Sequence, residues 1–347
     1  TLCGITLEEI EATFEPEIEQ LMESHDLLRK ELLEQLTCRY DGYRFRGFKH
    51  DAADPMSIGN NFIRVLYEDA DGLIWIGTNV GVYIYNPETE NFRKFDVATE
   101  RGDVISREVS SIKCDSSGDL WIGVNWQGVF RYDRRDESLE LYEPVPGDTT
   151  SLSSVHVWDL CFDGDGNLWV GSQNGGLDRY DRETDRFVRH RLKGLSDVSR
   201  IVLDKQNQLL LGTMKDGLFS FNPYMGTCQP LLLDSGHKDL FVRAIFVRNS
   251  REVVVGTENG IYIYDCVTRK TRHVNQELGN PYSLSCKAVY SIYCDKEGAL
   301  WIGTYFGGVN YLPPSSSLIF DKFYPIGHSD RLSGKAVREF VRDESGI

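Results

Sequence analysis

The stretch GLIWIGTNVGVYIYNPETENF, Gly72–Phe92, returns as DLWIGVNWQGVFRYDRRDESL (119–139), NLWVGSQNGGLDRYDRETDRF (167–187) and ALWIGTYFGGVNYLPPSSSLIF (299–320). Each copy holds an aromatic-aliphatic-glycine core, a short polar break, a glycine and a second alternating run. Taking the core glycine as a marker gives Gly77, Gly123, Gly171, Gly212, Gly256 and Gly303, a period of 41 to 48 residues. Such a period means a solenoid or a propeller.

Within one period the runs are short and alternate with period two: FIRVLYED, LIWIGT, GVYIYN, NFRKFD, parted by Asp71-Gly72, by 79–81 and by 87–90. Alternation with tight-turn residues reads as four strands joined by hairpins, and Asp-Gly suits a turn that needs positive φ. Four antiparallel strands per repeat are propeller blades; a helical solenoid would show a 3.6-residue pattern. The fold class is therefore all-β, a β-propeller. The core glycine lets backbones approach, and Trp75, Trp121, Trp169 and Trp301 before it offer a flat surface between sheets. Leu210 and Val254 replace that tryptophan in blades four and five, which predicts less bulky wedges there.

Counting at the ends gives six full blades plus parts of a seventh. Residues 45–69 align with 139–163 and with 320–343, so an outer strand precedes the first full blade and an inner strand follows the sixth. The expectation is an incomplete seven-bladed propeller over 44–347, one hairpin short, from a longer protein.

Composition bounds the function. At 347 residues, with 41% hydrophobic and 12% aromatic side chains, the chain can fill a packed core. A formal net charge of −15 opposes nucleic acid and anionic lipid, so no nucleic-acid partner is expected. Residues 1–36 carry ten Asp/Glu against Arg29 and Lys30, which sets that segment apart. No run approaches a membrane span, and any membrane tie would run through segments outside this sequence. Cys114, Cys161 and Cys294 occupy matching places in SIKCD, DLCFD and SIYCD, which reads as a small side chain on a strand.

The phrase EDADGLIWIGTNVGVYIYNPETENFRKF, with the spacers DPMSIGNNFI, GDTTSLSSVHVWDL and NPYSLSCKAVYSI, closely resembles the two-component regulator propeller repeat. That repeat belongs to the extracytoplasmic sensor regions of bacterial hybrid two-component systems in Bacteroidetes, and the resemblance covers about 44–347. It implies a periplasmic sensor, not an enzyme. Whole members resemble two propellers, a β-sandwich, a membrane helix and a histidine kinase with receiver and DNA-binding parts. They sense glycan fragments as homodimers, so an oligosaccharide is the implied partner, and no cofactor is expected.

Residues 1–43 read as an acidic helical segment. Thr6-Leu7-Glu8-Glu9 is a capping box, and Ile18, Leu21, Met22, Leu28, Leu32 and Leu36 lie on one broad face. LCGITLEEIEATF and LLEQLTCRYDGYRF resemble the interior of the AAA-ATPase-like domain that precedes nuclease-like domains in Bacteroidetes proteins. The chain has no GxxxxGK[ST] phosphate loop, so ATP chemistry is not carried over.

The seven histidines show no ligand spacing, so no metal site is expected. DGDGNLW (163–169) lacks the glycine and glutamate that a calcium loop needs at Leu168 and Asn174. Asp69, Asp115, Asp163, Asp204 and Asp295 recur at the ends of inner strands, which argues for turn capping, since a glycosidase needs one carboxylate pair in one place.

The candidate ligand site is a ring. In a propeller the turns between second and third strands and the entrances to inner strands open on one face. They carry Asn79; Asn125, Trp126 and Gln127; Gln173 and Asn174; Lys215; Glu258 and Asn259; Tyr305 and Phe306, with Arg107, His156 and Lys287 near the entrances. Amides and charges bond hydroxyls while Trp126, Tyr305 and Phe306 stack on sugar faces. The alternative is a structural or protein-interaction propeller without a small-molecule ligand; a propeller-borne lyase or hydrolase stands third.

Overall fold

The structure, a computed structural model, describes residues 37–40, 45–192, 195–232, 240–277, 279–314, 319–323, 337 and 340. It is an all-β propeller of six four-stranded blades, and within each blade the strands lie in chain order. Blade one is β3 (Ile63–Glu68), β4 (Ile74–Thr78), β5 (Gly81–Asn86) and β6 (Asn91–Phe95), preceded by the hairpin β1 (Thr37–Tyr40) and β2 (Phe45–Phe48). Blade two is β7 (Val109–Cys114), β8 (Leu120–Val124), β9 (Gly128–Asp133) and β10 (Ser138–Tyr142). Blade three is β11 (Val157–Phe162), β12 (Leu168–Ser172), β13 (Gly176–Asp181) and β14 (Arg186–His190). Blade four follows as β15 (Arg200–Leu203), β16 (Leu209–Gly212), β17 (Leu218–Asn222) and β18 (Thr227–Leu232). Blade five is β19 (Val242–Val247), β20 (Glu252–Thr257), β21 (Gly260–Asp265) and β22 (Thr271–Val274). Blade six is β23 (Val289–Cys294), β24 (Leu300–Thr304), β25 (Val309–Leu312) and β26 (Asp321–Phe323).

The core lies between blades. Trp75, Ile84 and Phe95 of blade one close on Ile112, Leu120 and Phe130 of blade two, and the same layering repeats through blade six. Glycine is needed where the second strand meets the next blade: a Cβ on Gly77 would lie 2.5 Å from Val65 and 2.6 Å from Val109. Val157, Val198, Val242 and Val289 stand in the same way over Gly123, Gly171, Gly212 and Gly256. Val337 takes that place over Gly303, and its N–H bonds Thr304 O at 3.0 Å, as expected for an inner strand after blade six.

The other end is also covered. Phe48 packs on Tyr85 and Phe92 of blade one, as Tyr142 packs on Tyr180 and Phe187 of blade three. β2 thus stands as an outer strand. Its partner β1 is a correction to the expected helical segment: Thr37–Tyr40 is a strand, because CRYD (38–41) repeats the RYD that ends β9 and β13. The rest of that segment, residues 1–36 and 41–43, and with it most of the stretch that resembles an ATPase-like domain, lie outside the described residues.

The recurring aspartates cap turns, and they also hold the tryptophans. Asp69, Asp115, Asp163 and Asp295 each accept the indole N–H of the tryptophan six residues on, at 2.8, 3.3, 2.8 and 2.8 Å. Asp204, whose blade has Leu210, accepts only from the turn amides of Gln206 and Gln208. Blade five, with Val254, has no aspartate there, and Asn249 caps the turn. Arg134 and Arg182 reach back to Asp69 and Asp115 of the preceding blade.

The spacers have a structural task of their own. Asp54, Asp148 and Asn280 each accept from the amide two residues on, which turns the chain. The carbonyls of Met56, Thr150 and Tyr282 then take the amides of Phe92, Phe187 and Phe320. The spacer therefore fastens the outer edge of the blade it introduces.

Candidate functional site

One irregularity recurs at the entrance of the inner strands. The pairing register skips between Ile63 and Val65, Val109 and Ser111, Val157 and Asp159, Val242 and Ala244, and Val289 and Ser291. Arg64, Ser110, Trp158, Arg243 and Tyr290 are therefore bulge residues, released from the ladder. A bulge re-aims its side chain, and in inner strands this frees five side chains to meet near the propeller axis.

They do meet. Arg64 pairs with Glu108 at 3.0 Å and donates to Asn79 Oδ1. Arg243 pairs with Glu258 at 2.6 Å, and Tyr290 OH donates to the same carboxylate at 3.3 Å. The Arg243 guanidinium lies 3.6 Å from the Phe241 ring centroid and 4.6 Å from that of Tyr290. Trp158 of blade three meets Phe241 of blade five edge to face at 6.3 Å, a contact that skips blade four. Tyr290 stacks on Tyr305 at 5.1 Å, and Tyr305 meets Phe306 at 4.3 Å. Burial lowers the Arg64 pKa, with Glu108 opposing, while burial pushes the Tyr290 phenol up to about 12. Both arginines have a carboxylate partner, and Arg200 of blade four adds a third guanidinium, its Nε–H donating to Arg243 O at 2.7 Å, so the floor of the mouth is polar, aromatic and cationic.

A second group stands at the rim of blades two and three. His156 Nδ1 lies 3.2 Å from Asn125 Oδ1, and Trp126 meets the imidazole edge to face at 4.0 Å. The Trp126 indole is 62% exposed, and its backbone sits at φ 69°, held by its N–H on Val155 O at 2.9 Å. The left-handed region costs a bulky residue about 1–2 kcal/mol, and Asn174, which fits it better, fills the corresponding place in blade three at φ 58°.

The remaining expected residues divide. Gln127 turns away from the mouth, accepting from Ser106 N–H and donating to Val104 O, because its amide fastens the loop between blades one and two. Asn259 is likewise held by Tyr262, His273 and Asn275 of its own blade and the loop after it. Asn174 is exposed with its N–H on Asp197; Arg107, Lys215 and Lys287 are exposed, and Gln173 is half-buried beside His156. Asn79, Glu258 and Tyr305 thus join the inner cluster, while Asn125, Trp126 and His156 form the outer one. Sequence reasoning missed Arg64, Glu108, Trp158, Phe241, Arg243 and Tyr290. The available signal was the residue after the first valine or isoleucine of the inner strand, which varies as Arg, Ser, Trp, Arg and Tyr while its neighbours stay apolar.

The Two component regulator propeller family model matches residues 57–80, 151–174 and 283–306. These are two-component regulator propeller repeats. Each matched repeat joins a spacer, an inner strand, a second strand and the rim turn, in blades one, three and six, the three with the serine-bearing spacer. Among solved structures, the extracellular domain of a protein described as the hybrid two component system BT3049 from B. thetaiotaomicron aligns with a TM-score of 0.70 and 25% identity, over 81% of this chain and 38% of that one. The corresponding domain of BT4673 from the same organism aligns at 0.69 and 20%, over 81% and 35%. Virginiamycin B lyase from Staphylococcus aureus shares the fold at 0.59 and 13% identity, over 77% and 86%. The propeller repeats thus span well under half the length of the two-component system domains they resemble. No curated protein matches the sequence.

Proposed function

We propose that this propeller is a ligand-recognition module of an extracytoplasmic two-component sensor, that it binds an oligosaccharide at the mouth lined by the bulge residues and the Trp126 rim, and that it passes the signal, as part of a dimeric receptor, to a histidine kinase in another segment. It is a binding module, not an enzyme. The observation that carries the reading is Trp126: an exposed indole held at a backbone angle that disfavours it adds nothing to the core and, among the described residues, packs only on the His156 edge, whereas an aromatic face beside an amide and an imidazole serves a sugar ring. Tyr305 and Phe306 offer a second aromatic face beside the Arg243–Glu258 pair.

The test is calorimetry and thermal shift of the chain against host and dietary oligosaccharides, with Trp126→Asn and Tyr305→Ala. A ligand at 100 times its Kd stabilises by about 2.7 kcal/mol. Trp126→Asn is expected to leave the unliganded protein as stable or more so, by about 1 kcal/mol, and to lose the glycan shift. Absence of any shift across the panel from folded protein overturns the reading.

The protein-interaction alternative rests on another face. Tyr224, Met225 and Val267, on the turns between third and fourth strands of blades four and five, are 67, 75 and 73% exposed. Capture of a protein partner that survives mutation of Trp126 but not of Met225 favours it.

A further inference from the structure

The three matched spacers differ at one buried contact. Each places a residue against the side chain two positions after the glycine that leads into its blade's third strand, Gly81, Gly176 or Gly308. In blade one this is Gly59, and a Cβ there would run into the Tyr83 ring. In blade six Asn310 uses both ends of its amide, accepting from Ser285 N–H at 2.9 Å and donating to Ser285 Oγ at 2.8 Å. Blade three has Asp178 in that place, 0% exposed. Its Oδ2 accepts from Ser153 N–H at 2.8 Å, as Asn310 Oδ1 does from Ser285. Its Oδ1 has no hydrogen-bond partner, and neither has Ser153 Oγ or Ser172 Oγ, all of them buried. A carboxylate has no proton to give where the amide of Asn310 has two.

Burial of Asp178 outweighs what favours its charge, which is the hydroxyl and N–H of Ser153 and the nearby Arg189. The group that faces it from β14 is Arg189, directly across the ladder, and that guanidinium is spent on Asp148 O, Ser151 O, Ser151 Oγ and Leu152 O. On β12 its ladder partner is the apolar Val170, and from the spacer it meets Ser153. Desolvation of a buried carboxyl without a counter-ion favours the neutral acid.

We propose that Asp178 is held as a neutral acid donating from Oδ1 to Ser153 Oγ, and that loss of this proton to solvent loosens the spacer Ser151–His156 and, through it, the Trp126 rim. The coupling is short. Ser154 Oγ accepts from His156 N–H at 3.1 Å, Val155 O holds Trp126 N–H, and His156 holds Asn125. Burial pushes the Asp178 carboxyl up to about 6 from an ordinary 3.8. A group raised on folding holds its full stabilisation below about pH 4 and loses it as pH rises through 6, an about hundredfold change in the opening equilibrium. The consequence for ligand rests on the sensor reading; the protonation does not.

The test uses the ligand-free chain and Asp178→Asn, which copies Asn310. Urea stability of both proteins from pH 4 to 7.5, hydrogen exchange of residues 151–158 and the carbon-13 titration of the Asp178 carboxyl are measured. We expect no difference at pH 4, a growing advantage of the variant that reaches about a hundredfold in the unfolding constant by pH 7, and a carboxyl that titrates near 6. A carboxyl that titrates below about 4, or a stability difference that does not change with pH, overturns the proposal. The titration decides even if the variant does not fold. Failure of every glycan to bind removes the sensor reading and leaves this result standing.

Discussion

Removing the inner-strand aspartate should cost far more in a blade that has the tryptophan than in one that lacks it. Asp163 accepts from Asp165 N–H, Asn167 N–H and the Asn167 side chain, and its Oδ2 takes the Trp169 indole at 2.8 Å. Trp169 is 1% exposed, so Asp163→Ala strands a buried donor that water does not reach. A stranded buried donor costs about 1–3 kcal/mol, and the loss of the turn amides' acceptor adds about 1, for a total of about 3 kcal/mol. Asp204→Ala removes only two turn bonds, to Gln206 and Gln208 at 2.8 Å each, because Leu210 has nothing to donate; about 1 kcal/mol is expected. Urea unfolding with an unchanged m-value measures both, and the cycle of Asp163→Ala with Trp169→Leu isolates the pair. In that cycle the coupling should be about 2 kcal/mol, since a leucine side chain in place of the indole needs no acceptor. Equal costs for Asp163→Ala and Asp204→Ala, or a coupling below about 0.5 kcal/mol, refute the account of why aspartate and tryptophan recur together.

Two further predictions rest on packing. Gly77→Ala should destabilise by about 1–3 kcal/mol, since its Cβ falls within 2.6 Å of both Val65 and Val109 in adjoining strands. Gly72→Ala meets no neighbour within 4 Å and should lose only the about 1 kcal/mol of a left-handed position; denaturant midpoints compare the two. Burial pushes the Cys161 thiol up to about 12, so at pH 8 it should alkylate far more slowly in the native chain than the half-buried Cys286. Peptide mapping after timed iodoacetamide exposure reads the order, and equal rates would contradict it.

The blades were legible because their demands are local and repeated. A glycine under the next blade's valine, an aspartate six residues before a tryptophan and Asp-Gly at a hairpin are each set by contacts within about one repeat, so one sequence shows them several times. The cysteine reading held for the same reason: Cys161 is buried, Cys114 and Cys294 are half-buried, all three are free thiols, and each Sγ bonds the carbonyl that follows it. What sequence reading missed depends on register. A bulge of one residue leaves the apolar alternation looking ordinary, yet it turns Arg64, Arg243 and Tyr290 out of the ladder. Some of their contacts cross between blades, as Tyr290 with Glu258 and Trp158 with Phe241, and no period reports a contact across the axis. The β1 strand was hidden differently: the helical pattern over 18–36 runs straight into CRYD, and so masks a phrase already present in two blades.

The division between constant and variable positions follows from where free energy is at stake. In the second strand every residue of IWIGT is enclosed between blades, so a change there forces a neighbour to move. The bulge residue next to the valine has left the ladder, and its main chain no longer constrains its side chain by pairing. Arginine, serine, tryptophan and tyrosine can therefore stand there without disturbing the sheets beneath. The ring of bulges lets one scaffold present different chemistry at each blade, and the spacers link it to the rim. Where a spacer seat is sealed by an amide, as at Asn310, the rim above is fixed at any pH. Where it is sealed by Asp178, it is fixed only while a proton is there. One carboxyl exchanged for one amide, in otherwise matching repeats, makes blade three the place at which a change in the medium reaches Trp126.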